Sequence, residues 1–397
     1  MDRVQVLICG AGPVGVVAAN RLAQAGIDVM LVEARADCAE DMRASTFHPP
    51  SLEMMEALGF RETLEAQGLK APIYHYRNRR TGEVLSFDLT EIGDATPYPY
   101  RLQCEQFKLA RLGVARLAEN PHGQVRFQRR LVHFEQDANG VTVHAETPTD
   151  LETYRADYVI AADGANSIIR KWLNVEFEGF TYPEKFLTLS TTWPMENHFD
   201  NVAYVNYMAD AAEWCVLLRT PSVWRVLVPA HEQDPDDILL SDDKKNTVFQ
   251  GLMGDGEAVQ TYHRTIYRVH QRVVEKFNHG RVLLVGDAAH LNNPLGGFGM
   301  NSGIHDAWNA TGKLIDILQH GGDAEALLDH FDRQRRTITN DFVQAQTKRN
   351  KQALESPTHQ SDFQSNLAAV LADDHRRREY LLEQAMIRSL EREAAIA

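Results

Sequence analysis

Six residues near the start, Gly10-Ala11-Gly12-Pro13-Val14-Gly15, constrain this chain more than any other stretch. They follow an apolar run, Val4 to Cys9, that reads as a buried strand, and they open a helical pattern from Pro13 to Ala25. Ile27 to Glu33 reads as a second strand. The unit is βαβ, which implies a parallel sheet covered by helices. Gly10 permits the tight turn, Gly12 lets the backbone approach a pyrophosphate, and Gly15 lets helix and strand close up. The helix N-terminus offers unpaired N–H groups and its positive dipole end to phosphates. Glu33, about 20 residues downstream, ends the second strand and can accept hydrogen bonds from ribose hydroxyls. An acid there favours an unphosphorylated adenosine ribose, as in FAD or NAD, over NADP.

Composition narrows the class. The 397 residues suit two or three domains, and 44% hydrophobic with 24% charged residues is an ordinary globular balance. No run approaches the roughly 18 apolar residues of a membrane span. The first residues lack a signal-peptide cleavage pattern. A net charge of −14, from 41 basic and 55 acidic residues, argues against nucleic acid and anionic membranes as partners. Cys9, Cys38, Cys104 and Cys215 form no paired motif for metal or redox exchange, which fits a reducing, cytoplasmic setting.

Further along, Ser51 to Leu58 and Gln106 to Leu117 look helical, and Val125 to Glu146 reads as a hairpin turning at Asn139-Gly140. Tyr158 to Ala162 and Val282 to Val285 read as buried strands, and the last 50 residues as charged helix. Residues 182–270 look mostly β, with Gly251, Gly254 and Gly256 as a turn-like cluster. The expected fold is α/β. A Rossmann-like βαβ domain takes 1–70, 101–181 and 271–350. Inserted β-rich segments, 71–100 and 182–270, form a substrate domain, and 351–397 forms a C-terminal helical segment.

Two later motifs choose the dinucleotide. One is Tyr158 to Arg170, a strand followed by Asp163-Gly164 and a polar helix start. The other runs from Arg281 through Gly286-Asp287, His290, Pro294, Gly296-Gly297-Phe298-Gly299-Met300-Asn301 to Asp306. Its glycines leave room for a flat ring to pass close to backbone. The helix starting near Asn301 points its positive end at that ring, where Met300 and Asn301 N–H groups can stabilise negative charge on a reduced flavin.

With the three motifs in this order, residues 1 to about 350 resemble the class A FAD-dependent aromatic hydroxylases, the group typified by para-hydroxybenzoate hydroxylase. The resemblance implies that the Rossmann-like domain is an FAD-binding domain of the glutathione reductase type and that FAD is the cofactor, with Glu33 and Arg35 at the adenosine ribose. It implies Arg43 near the pyrophosphate and flavin, Gln106 against the flavin, and Leu131 at the adenine through its backbone. Asp163 would line the FAD and nicotinamide side, Asp287 would bind ribityl or ribose hydroxyls, and Pro294 would sit against the flavin near substrate. It further implies NADH or NADPH as a transient reductant, since no second dinucleotide motif is present. Dioxygen would give a flavin C4a-hydroperoxide, whose distal oxygen passes to a small electron-rich ring of the phenol, aminoarene or hydroxypyridine type.

For the substrate pocket, Arg219 and Arg225 are candidate anchors for a carboxylate or phenolate, with surface salt bridging as the alternative. Tyr204 and Tyr207 lie on opposite faces of one strand, so at most one lines the pocket; Tyr204 is the candidate. Tyr262 is preferred over His263 on the same argument. His48 is the candidate phenol-deprotonating base, with a loop hydrogen bond as its alternative. Phe298 stands where the typifying enzyme has a basic residue, which weakens a simple benzoate assignment. The C-terminal helix, near Arg376 to Glu393, packs on the FAD domain or on a second subunit of a homodimer, or is exposed. Rival functions are a same-fold oxidase, an epoxidising or ring-modifying monooxygenase, and a non-catalytic carrier. No metal site is expected.

Overall fold

The computed structural model describes residues 2–40, 44–210, 214–254, 259–355 and 357–397, the side chains of 353–362 excepted. Arg43 and Gly256 therefore lie outside the described residues. Asp2–Cys9 is a central strand, buried almost continuously beyond its first residues, as a strand covered on both faces must be. It pairs in parallel with Val29–Val32 on one side and Leu151–Ala161 on the other. Gly123–Arg126 and Val282–Leu284 extend the sheet in parallel. The hairpin Arg130–Asp137 and Gly140–Glu146 adds to Leu151–Ala161, turning into its second arm through Gly140 at φ +150°.

Helices Pro13–Gln24, Gln106–Glu119 and Phe298–His320 meet over this sheet. The approach is close: a Cβ on Gly113 would lie 2.6 Å from Val16 Cβ. Asn20 Nδ2 uses that proximity, donating to the Gly113 carbonyl at 2.9 Å. The main core lies here, from Val6, Leu7 and Ile8 to Ile304 and Leu314.

A second sheet runs, in spatial order, through His290–Leu291, His263–Val274, Phe177–Thr191, Trp224–His231, Cys215–Arg219, Val205–Ala209, Ile73–Asn78 and Val84–Asp88. Strands from both insertions thus share one sheet. Phe177–Thr191 and His263–Val274 run straight through residues 181 and 271, so the sheet does not respect the boundaries expected there. A small sheet of Thr46–Phe47, Arg101–Gln103 and Leu69–Ala71 lies beside the Gly-rich loop.

Residues 182–270 are less uniformly β than expected. Asp242–Met253 is a helix, capped by Ser241 Oγ accepting from Lys244 N–H and closed by Gly254 at φ +71°. Gly254 is therefore a left-handed helix cap. Ser241 before two acids is an N-cap signal that the surrounding β pattern masked.

The C-terminal helices fold back on their own chain. Tyr380, Leu381 and Leu382 join a core with Tyr74, Tyr76 and Phe87, and Arg378 pairs with Asp94 at 2.7 Å. The last helix, Ile387–Ala394, instead reaches the FAD side, where Gln334 Nε2 donates to the Glu393 carbonyl at 2.9 Å. Among the described residues no helix is long and apolar enough to cross a membrane.

Candidate active site

The Gly-rich turn builds one wall of a long groove. Gly10 has φ +105°, and a Cβ there would lie 2.4 Å from the Ala162 carbonyl oxygen. Gly15 is tighter still, 1.9 Å from the Gly10 oxygen, so it serves helix–strand closure and does not line the groove. A Cβ on Gly12 would meet nothing within 4 Å, because it would point into the groove itself. No side chain caps the helix at Gly12, so its first N–H groups face the same space.

Glu33 closes the adjoining end. Its Oε2 accepts from Ala11 N–H at 2.9 Å and its Oε1 from Arg35 N–H at 3.0 Å. Each oxygen keeps a lone pair for a further donor. Arg35, Gln106, Asp163 and Asp287 also line the groove, whose volume is about 510 Å³. Leu131 is buried in its strand and its neighbour Arg130 lines the groove instead. The adenine contact expected of Leu131 was a backbone one, and the sheet turns its side chain to the core.

Asp163 uses one oxygen structurally. Oδ2 accepts from Ile168 N–H at 2.8 Å at the start of the short helix that follows, while Oδ1 is buried without a partner. Burial pushes its pKa up, against the hydrogen bonds that lower it. Arg170, from the same motif, donates to the Ala288 carbonyl at 3.0 Å and so ties the central motif to the Gly286-Asp287 turn. The groove fits FAD: a glycine cradle open to a pyrophosphate, the carboxylates of Glu33 and Asp287 in its lining, and a buried Asp163 oxygen without a partner.

A second cavity of about 210 Å³ adjoins this groove, and Ala44 and Met300 line both. Pro294, Gly296, Gly297 and Gly299 form its floor, and the helix Phe298–His320 begins beneath them behind Gly297 at φ +71°. Its other walls are Val205, Val216, Leu218 and Leu227, with Ser45, Thr188, Tyr207 and Tyr267 as polar points. Two guanidinium groups belong to it, Arg101 and Arg225, and both are buried. Arg225 Nη2 lies 3.4 Å from the Tyr267 hydroxyl. Arg101 lies over the Tyr74 ring at 4.3 Å, and its Nε and Nη2 have no hydrogen-bond partner. The groups facing it are the hydroxyls of Tyr207, Tyr74 and Tyr76.

Several expected site residues lie elsewhere. Tyr204 and Tyr262 are exposed, at 37% and 69%, and neither lines the cavity. Tyr204 precedes the strand Val205–Ala209, so the two tyrosines do not share it, and Tyr207 is the one that lines the cavity. Arg219 lies at the strand end, 5.8 Å from the Trp224 ring centre, and donates to the Thr220 carbonyl. His48 is fully buried and lines neither space. Its Nε2–H donates to the Gly296 carbonyl at 2.9 Å, and its ring stacks on Phe298 at 5.3 Å. Burial and the nearby Arg101 charge hold its pKa well below the usual value. The base role expected of His48 gives way to holding the Gly-rich loop, as its alternative reading had it. Asn301 does similar work: Oδ1 accepts from His48 N–H at 2.9 Å and Nδ2 donates to the Thr46 and Gly297 carbonyls.

Arg101 and Tyr267 were not among the expected site residues, and Tyr207 takes the place expected of Tyr204. An isolated Arg in a three-residue strand carries no periodic signal, and its burial comes from tyrosines more than twenty residues away in the chain.

The known proteins agree with this architecture. A family model described as an FAD binding domain matches residues 3–346. The chain is 30% identical over 388 residues to 6-hydroxy-3-succinoylpyridine 3-monooxygenase of Pseudomonas putida (strain DSM 28022 / S16), covering 95% of this chain and 96% of that protein. It is 28% identical to para-nitrophenol 4-monooxygenase of Pseudomonas sp. (strain WBC-3), covering 96% and 93%. The crystal structure of p-nitrophenol 4-monooxygenase from Pseudomonas putida DLL-E4 superposes with a TM-score of 0.91 at 26% identity, covering 97% and 99%. From glycine cradle to ring-sized cavity, this chain belongs to the class A flavoprotein hydroxylases and is an FAD-dependent monooxygenase.

Proposed function

We propose that the enzyme hydroxylates a small, electron-rich aromatic ring that binds as an anion, with NADH or NADPH as reductant. One observation carries the reading: Arg101, buried in the cavity wall, with two guanidinium nitrogens unpaired. A buried cation without its hydrogen bonds is costly, and a ligand oxygen bearing charge would supply them. Rings of the kinds named in its relatives, a hydroxypyridine and a nitrophenol, carry such an oxygen once deprotonated.

FAD, when bound, would supply the redox chemistry, hydride acceptance from a nicotinamide and activation of dioxygen. The chain's own residues do the rest. Gly12, the first turn of Pro13–Gln24, Glu33, Asp163 and Asp287 would hold the cofactor. The N-terminus of Phe298–His320, which meets both cavities, would stabilise negative charge on the bound cofactor. Arg101 and Arg225 orient the substrate and favour its ionised, electron-rich form. Val205, Val216, Leu218 and Leu227 exclude water beside the reacting carbon. The volume suits one substituted ring, since a cavity of about 150 Å³ takes benzene.

The test is NAD(P)H oxidation by the FAD-loaded protein across phenols, aminoarenes and hydroxypyridines, with peroxide quantified. A ring that speeds oxidation with little peroxide supports the reading. Fast oxidation without any ring, or oxidation ending wholly as peroxide, favours the oxidase alternative.

A further inference from the structure

A chain of buried charges runs from the cofactor groove to the last helix. Asp306 is fully buried, and its Oδ2 accepts from Gly286 N–H at 2.9 Å and pairs with His290 Nε2 at 2.7 Å. Gly286 immediately precedes Asp287 of the groove. The other Asp306 oxygen, Oδ1, accepts from Arg335 Nε at 2.7 Å. Arg335 is also fully buried, and its Nη2 donates to the Ser302 carbonyl and hydroxyl at 3.3 and 3.2 Å. Ser302 belongs to the first turns of Phe298–His320, the helix whose N-terminus meets both cavities. The third arm of Arg335, Nη1, pairs with Glu393 Oε2. Glu393 Oε1 accepts from Asn309 Nδ2 at 2.6 Å.

The backbone at this network is closely packed. Gly286 is pinned at φ +59°, and a Cβ on Gly303 would lie 3.0 Å from its Cα and 2.7 Å from Val14 Cγ2 of the glycine-cradle helix. A shift of Arg335 therefore reaches the Gly286-Asp287 turn and the start of the long helix together. Only Glu393 comes from outside the FAD domain, and it comes from the last helix.

We propose that Arg335 is a positioning residue that couples the docking of the last helix, through Glu393, to the shape of the FAD groove. Helix Ile387–Ala394 is then a clasp for the cofactor. Because such coupling is reciprocal, bound FAD should hold the clasp closed. The inference rests on FAD binding and is independent of which ring is the substrate.

Two measurements test it. Glu393→Gln removes the charge with little change of shape and should raise the FAD dissociation constant, read from flavin fluorescence, about five- to tenfold. Arg388 lies on the same helix but, among the described residues, pairs with Glu379 and Glu391 and not with Arg335 or Asp306, so the FAD affinity of Arg388→Gln should match the parent. Hydrogen exchange of the 387–394 amides in the parent protein should slow when FAD is added, and slow less in Glu393→Gln. Equal FAD affinity in Glu393→Gln and the parent overturns the proposal. So does exchange at 387–394 that FAD leaves unchanged, and this second result stands even if the variant fails to fold.

Discussion

The guanidinium carbon of Arg101 lies 4.3 Å from the centre of the Tyr74 ring, inside the wall of the smaller cavity. The tyrosine face stabilises the charge without supplying a counter-ion, so the hydrogen-bonding edge is left for a ligand. Arg101→Gln should raise KM for the ring substrate about 10- to 100-fold, the range for losing a charged hydrogen bond of about 1.5–3 kcal/mol. FAD affinity should stay the same. Arg101→Lys should rescue only in part, because an ammonium lacks the planar fork. Steady-state kinetics with the best ring checks this, and an unchanged KM in both variants removes Arg101 from substrate binding.

Arg225 and Arg219 separate the two faces of one hairpin. Arg225 is buried in the cavity wall, whereas Arg219 bonds the chain beside it. Arg225→Gln should impair ring-stimulated NAD(P)H oxidation at least about tenfold, and Arg219→Gln less than about twofold. The reverse order would mean that the cavity is not the substrate site.

Gly12 divides cofactor binding from folding. With no protein atom within 4 Å of its absent Cβ, Gly12→Ala should leave the thermal midpoint of the apoprotein nearly unchanged. It should still weaken FAD binding, since the methyl projects where the pyrophosphate would lie. Gly10→Ala, by contrast, should fold poorly, because its Cβ meets backbone at 2.4 Å at a left-handed φ. Differential scanning calorimetry beside flavin titration distinguishes the pair.

Asp287 is exposed in the groove and Asp163 keeps a buried oxygen unpaired. Asp287→Ala should give poorly flavinated, largely inactive protein, visible as loss of the yellow absorbance after purification. Full flavin content with normal turnover would refute the assignment.

His48 and His305 are both buried and held neutral by desolvation, His305 down to about 3. The unfolded chain takes up protons at these sites near pH 6.5, whereas the native state resists. Stability is thus retained above pH 6.5 and lost as pH falls below it, at up to about 1.4 kcal/mol per pH unit for each histidine. His305→Gln should make that acid slope shallower, by up to about 1.4 kcal/mol per pH unit, in denaturant titrations of the apoprotein. A slope equal to the parent's would show that His305 titrates normally.

The sequence by itself determined the cofactor half of this protein. Turn glycines and an acid at a strand end act through backbone and nearest neighbours, so Gly10, Gly12 and Glu33 are legible from spacing, whereas the roles of Asp163 and Asp287 follow only from the family resemblance. The substrate half was not legible in the same way. Which of Tyr204 and Tyr207 faces inward depends on how the strand is covered, and Arg101 becomes a buried cation only when Tyr74 and Tyr207 arrive from other strands. His48 looked chemical beside the Gly-rich motif, yet packing turned it into a brace for Gly296. The buried network from Glu393 through Arg335 to Asp306 spans more than eighty residues of chain, and only the folded chain decides which charges meet. A charge shows its sign in sequence; its partners, its burial and therefore its task are set by the fold.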